Sequence, residues 1–130
     1  MLGDKNRSRF VSDERTRLQQ MRAAEYPGGV VVDPVPITAG DEVTILYHGL
    51  LDACGADQVW LHTGYGDANN WQNIYDYRME RTGYGWVKNI RVEDGSRLNI
   101  CFKDSANNWD NNNGLNWSFE IHKGNLPGRR

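Results

Sequence analysis

Glu42-Val43-Thr44-Ile45-Leu46-Tyr47 alternates, with Val43, Ile45 and Tyr47 on one side of the chain and Glu42, Thr44 and Leu46 on the other. A period of two is that of a β-strand, so the segment predicts a half-buried strand facing a core through its first set. The same phase recurs in Gln58 to Thr63 through Val59 and Leu61, and in Arg97 to Lys103 through Leu98, Ile100 and Phe102. Gly85 to Val92 repeats it through Ile90 and Val92, and Leu115 to Ile121 through Leu115, Trp117, Phe119 and Ile121. Val30 to Asp33 and Tyr75 to Glu80 complete seven short strand candidates separated by Gly, Asn and Asp turns. That pattern predicts an all-β fold, an antiparallel sandwich, and the absence of βαβ alternation excludes a doubly wound sheet.

The first 25 residues differ in charge from the rest of the chain. They hold six basic and four acidic residues, a net +2, against −4 for the remainder. A boundary is expected near Tyr26-Pro27-Gly28-Gly29, which divides the chain into a charged extension (1–28), a sandwich domain (29–123) and a tail (124–130). Ser12 before Asp13 and Glu14 has the form of a helix N-cap with acids in the first turn, and Leu18, Met21 and Ala24 come after them at three-residue spacing. The stripe is thin, so a docked helix and a frayed tail are both open.

Composition excludes several classes. The 130 residues carry a net charge of −2, without the basic footprint that duplex-DNA binders use to neutralise phosphates. Apolar runs such as Gly29 to Val32 and Val43 to Tyr47 fall far short of the roughly 20 residues that cross a bilayer. No apolar h-region succeeds the basic residues near the start, so a secretory signal is not expected and a cytoplasmic location is, unless the chain is a fragment of a secreted protein. Cys54 and Cys101 are too few for a zinc site or a disulfide framework, and reduced thiols are expected. Whether the two pair is open.

Five Trp and thirteen Asn stand out in the composition. Asn69-Asn70-Trp71 and Asn107-Asn108-Trp109 repeat one tripeptide, each in a turn-rich stretch. An indole in such a loop either plugs the end of the sandwich or meets a ligand. Sugars suit the second role: a pyranose lays its axial C–H patch on an aromatic ring while its hydroxyls need amides, carboxylates or imidazoles around the rim. Nucleobases also stack on Trp, but Asp67, Asp104 and Asp110 against Lys103 leave the surroundings unsuited to phosphate. In Val59-Trp60-Leu61-His62 the apolar pair faces inward, so His62 and Trp60 point outward, a few residues before the Trp71 loop.

Other signals are weaker. Asp110-Asn111-Asn112-Asn113-Gly114 lacks the Asx spacing and closing Glu of a calcium loop and reads as an Asn-Gly turn. Trp86 and Trp117 read as core, while Tyr65 is either a rim contact or a packing residue. No carboxylate pair stands out that would sit about 5 to 10 Å apart across a glycosidic bond, so no enzyme activity is expected, and neither cofactor nor metal.

Ile100-Cys101-Phe102-Lys103-Asp104 with Trp109-Asp110-Asn111-Asn112-Asn113-Gly114-Leu115-Asn116-Trp117 after it resembles the signature of the family 25 and family 53 starch-binding modules. Trp60-Leu61-His62 and Asn70-Trp71 resemble an earlier strand and loop of those modules, and Met79 with Gly83 to Val92 their middle hairpin. The resemblance runs from about Glu42 to Ile121 and leaves out residues 1 to 28. It implies an immunoglobulin-like β-sandwich and places His62, Trp71 and Trp109 in an α-glucan site, with Trp60, Asn70, Asn108 and Asp110 expected around them. It further implies non-catalytic binding of starch, glycogen or maltooligosaccharides, and a starch- or glycogen-active enzyme as partner, with neither nucleic acid nor membrane. Such modules usually accompany secreted amylases, and this chain departs from that setting in showing neither signal nor catalytic domain; a second departure is its Gly64 to Asn69 loop, expected to set the Trp71 angle differently. An immunoglobulin-like module whose exposed aromatics bind a protein is the alternative from another class.

Overall fold

The computed structural model describes residues 15–22, 26–93 and 95–123. Residues 15–22 form helix α1. The strands, in chain order, are β1 (Val30–Asp33), β2 (Ile37–Thr38), β3 (Glu42–Tyr47), β4 (Val59–Tyr65), β5 (Gln72–Arg78), β6 (Glu80–Thr82), β7 (Gly85–Arg91), β8 (Arg97–Asp104), β9 (Trp109–Asp110) and β10 (Trp117–His122), with one helical turn, α2 (Leu50–Ala53), after β3. One sheet runs β1-β3-β7-β6 and the other β2-β10-β8-β4-β5, with β9 added to β8. This is an all-β sandwich whose first edge is divided between the sheets, β1 in one and β2 in the other, the Greek-key order of immunoglobulin-like domains. Pro34 and Pro36 offer no N–H to a ladder, and across them the chain leaves the partner of β1 and joins β10 instead. The β2–β10 pairing is parallel, the departure from the antiparallel sandwich read in the sequence.

The inward set behaves as the alternation requires. Val43, Ile45 and Tyr47 from β3 meet Val59 and Leu61 from β4 and Leu98, Ile100 and Phe102 from β8 in one core. Tyr47 stacks on Phe102 across the two sheets at 4.0 Å between ring centroids, and Phe102 meets Trp117 edge-on at 5.5 Å. Trp86 and Trp117 are buried, and Tyr65 is a packing residue whose hydroxyl accepts a hydrogen bond from the Glu93 N–H.

Two expectations are corrected. The strand β3 is buried on both faces, not one: its outward Leu46 joins Val31, Leu18 and Met21 in a second apolar cluster. The thin stripe of α1 therefore docks, because two large residues suffice when a sheet already presents two more. The N-cap assigned to Ser12 and the stripe position Ala24 lie outside the described residues. The second correction concerns Leu115, which is 75% exposed and belongs to the turn before β10. Asn116 has φ 56°, a left-handed conformation outside the extended region, and so breaks the phase between Leu115 and Trp117. No helix among the described residues is long and apolar enough to cross a membrane.

Candidate functional site

The site lies on the outer face of the larger sheet, opposite α1. On β4, Val59, Leu61, Thr63 and Tyr65 point inward, which turns Trp60, His62 and Gly64 outward. The absence of a side chain at Gly64 is what admits Trp71: a Cβ there would stand 2.6 Å from the Trp71 Cβ and Cε3. Trp71 thus lies down on the strand, and its Nε1–H is spent on the Ala68 carbonyl at 2.8 Å. What it shows to solvent is ring.

Trp109 arrives from the other side. It pairs with Lys103 as the first residue of β9, so it is strand-borne, and 45% of it stays exposed. The preceding turn is built by Asp104, whose carboxylate accepts from the backbone N–H groups of Ala106 and Asn108 and from the Asn108 side-chain amide. Those bonds to Asn108, reinforced by Ala106, hold the Asp104 carboxyl below the usual carboxylate range. After Trp109 the alternation sends Asp110 inward. Its carboxylate accepts the Tyr47 hydroxyl proton at 2.6 Å, while the Tyr47 oxygen accepts from the Leu51 N–H. Burial, then the bond to Asp110, pushes the Tyr47 phenol far up.

His62 stands between the two indoles, its ring centroid 5.6 Å from that of Trp71 and 5.1 Å from that of Trp109. Its plane makes 32° with Trp71 and 89° with Trp109, so the two indoles cannot be coplanar. Asp76, directly across on β5, receives the His62 Nδ1–H on one oxygen and the Lys103 ammonium on the other, the latter at 2.8 Å. Lys103 also sits 5.4 Å from the Trp109 ring centroid, a cation–π contact. Burial alone would raise the Asp76 carboxyl, but the bonds from Lys103 and His62 outweigh it and hold it below its ordinary value. Cys101 lies beside His62 in register on β8; burial, with Asp76 and Asp110 nearby, pushes its thiol up to about 12 and leaves it protonated and unreactive. Both cysteines are free, Cys54 being exposed.

Of the residues singled out in the sequence, His62, Trp71 and Trp109 come together and Asn70 lies exposed beside Trp71. Trp60 shares their face but stands on the far flank of Lys103. Asn108 is tied into the Asp104 turn. Asp110 is the correction: it is only 8% exposed and bonded to Tyr47, so it anchors the strand that carries Trp109 and is no part of the rim. Asp76, Lys103 and Gly64 are the additions. The run Asp110 to Gly114 is a turn, with Asn111 Oδ1 accepting from the Gly114 N–H and the Asn111 carbonyl from the Asn116 N–H. Among the described residues no three His, Cys, Asp or Glu side chains converge as metal ligands.

Residues 43–100 match the starch/carbohydrate-binding module (family 53), a stretch that contains His62, Trp71 and Asp76 and stops before Trp109. A 92-residue stretch, 69% of the chain, is 35% identical to an α-amylase of Clostridium acetobutylicum, of which it covers 11%. The chain thus spans about a tenth of the length of that relative. No solved structure matches. The all-β sandwich is thus similar, through its central strands, to a starch/carbohydrate-binding module, and an α-amylase is among the relatives it matches.

Proposed function

We propose that the module binds α-1,4-glucan, as starch, glycogen or maltooligosaccharide, by laying successive glucosyl units on Trp71 and Trp109 while His62 Nε2 accepts a hydrogen bond from a hydroxyl between them. The observation that carries the reading is the pair of indoles held at different angles on either side of one imidazole. An α-1,4 chain is curved and offers its faces in turn to inclined platforms, whereas a flat β-1,4 chain needs coplanar ones. The charges suit a neutral ligand, since Lys103 and Asp76 satisfy each other.

Binding proceeds without hydrolysis in this reading. A glycosidase acid needs a raised pKa, and Asp76 and Asp104 are both held below the usual range by donors that already occupy them. The natural companion is a starch- or glycogen-active enzyme, in keeping with the amylase relative.

The test is calorimetry with maltoheptaose and cellohexaose at low and high NaCl, beside an affinity gel containing glycogen. Micromolar to millimolar binding of the maltooligomer is expected, roughly 4 to 8 kcal/mol, with little salt dependence. Trp71→Ala and Trp109→Ala should each lose about 1 to 3 kcal/mol. Preference for the cellulose oligomer, or unchanged affinity in both variants, would sink the reading; unchanged migration in the gel would favour a protein ligand instead.

A further inference from the structure

The outer face continues past Trp109. Lys103 is paired in register with Trp109 of β9 on one side and with Trp60 of β4 on the other, so the two indoles flank one lysine across three neighbouring strands. Beyond the Lys103–Asp76 ion pair opens a hollow of about 260 Å³ lined by Trp60, Asp76, Lys103, Asp104, Ser105 and Asn107. Trp60 is half-buried, an aromatic wall that none of the core packing uses. The polar groups opposite are already balanced: Asp76 by Lys103, Asp104 by the N–H groups of its own turn, and the Ser105 hydroxyl by Asp57 at 2.7 Å. An anion finds no spare cation in this hollow, and an apolar ligand finds only one apolar wall. A pyranose fits both, with a C–H face for Trp60 and hydroxyls for Asn107, Lys103 and Asp76.

We propose that this hollow is a second sugar subsite, which takes a further glucosyl unit of a chain already lying on Trp71 and Trp109. Two strand spacings, about 10 Å, separate Trp60 from Trp109 along the row, a distance that an oligosaccharide spans and a disaccharide does not. The subsite rests on the α-glucan reading of the Trp71–Trp109 pair, and it makes affinity depend on chain length.

The experiment compares maltotriose with maltoheptaose by calorimetry. The parent should bind the longer sugar about tenfold more tightly, and Trp60→Ala should erase that advantage while maltotriose affinity stays within about twofold. Asn107→Gly, which removes the amide while tolerating the positive φ of 64° at that position, should weaken maltoheptaose alone and guards against a folding defect in the Trp60 variant. Trp71→Ala should weaken both sugars. Parental affinity for maltoheptaose in both Trp60→Ala and Asn107→Gly overturns the subsite, as does an equal loss for both sugars in Trp60→Ala. Failure of the parent to bind either sugar overturns the α-glucan reading itself, and the subsite with it.

Discussion

His62 gives its Nδ1 to Asp76, which leaves Nε2 as the nitrogen turned to a ligand. Because the Asp76 carboxyl is held below its ordinary value it is ionised and acts as acceptor, so the bonded nitrogen carries the proton. The neutral ring should therefore be the Nδ1–H tautomer, with Nε2 a bare acceptor for a sugar hydroxyl. Imidazole nitrogen shifts measured by NMR should show that tautomer in the parent and its loss in Asp76→Ala. Affinity for maltoheptaose should fall by about 1 kcal/mol in the same variant, the net worth of one hydrogen bond. An unchanged tautomer would remove Asp76 from its positioning role.

Acid should loosen the same contact. A carboxyl with a lower pKa folded than unfolded stabilises the fold above the unfolded value, and that contribution disappears as the pH falls through the folded one. For Asp76 the loss begins below about pH 4. Urea midpoints recorded from pH 6 downward should fall more steeply for the parent than for Asp76→Asn. Parallel curves would show that the Lys103 and His62 bonds are not coupled to folding.

Gly64→Ala is the smallest change that attacks the platform. The added methyl would occupy the space of the Trp71 Cβ and ring edge, so the indole must lift off the strand. The strand backbone itself tolerates alanine. Expected are a loss of at least about 1 kcal/mol in maltoheptaose affinity and an altered Trp fluorescence, with a melting temperature close to the parent's. Parental affinity would mean that Trp71 is not held where binding needs it.

Removing the Tyr47 hydroxyl tests the anchor under Trp109. Tyr47→Phe leaves the Asp110 carboxylate and the Leu51 N–H without their partner in a buried place, which should cost about 1 to 3 kcal/mol of stability by urea titration. Glucan affinity should drop as well, though by less, because β9 keeps its pairing with β8.

The strands are legible because burial on one side imprints alternation, and five of the longer ones begin at or within one residue of the positions where the pattern starts, at Val30, Glu42, Val59, Gly85 and Arg97. Only the second half of β5 shows in the sequence: it is an edge strand exposed along almost its whole length, so no alternation marks Gln72 to Ile74. Two-residue strands such as β2 and β9 are too short to carry a period. Abundant asparagine reads as a sugar rim, yet Asn73, Asn107, Asn112, Asn113 and Asn116 all adopt positive φ. Much of that amide content therefore shapes turns, where Asn tolerates the left-handed region better than most residues. Asp76 is invisible to such a reading because its meeting with His62 depends on hairpin register, and β4 and β5 slip past one another at an irregularity between Thr63 and Tyr65 that no sequence period announces.

The docking of α1 on Val31 and Leu46 gives the domain a front and a back. One outer face is partly roofed by α1; the other is open and carries Trp60, Trp71 and Trp109. On the α-glucan reading proposed above, the helix side is turned to the solvent when the indoles meet a polymer surface. A dye on Gln19, exposed on that helix, should stay freely wetted when the domain settles on starch, while one on Asn70 should be shielded. On that reading the roof does more than cover two apolar residues: it marks the side that faces away from the ligand.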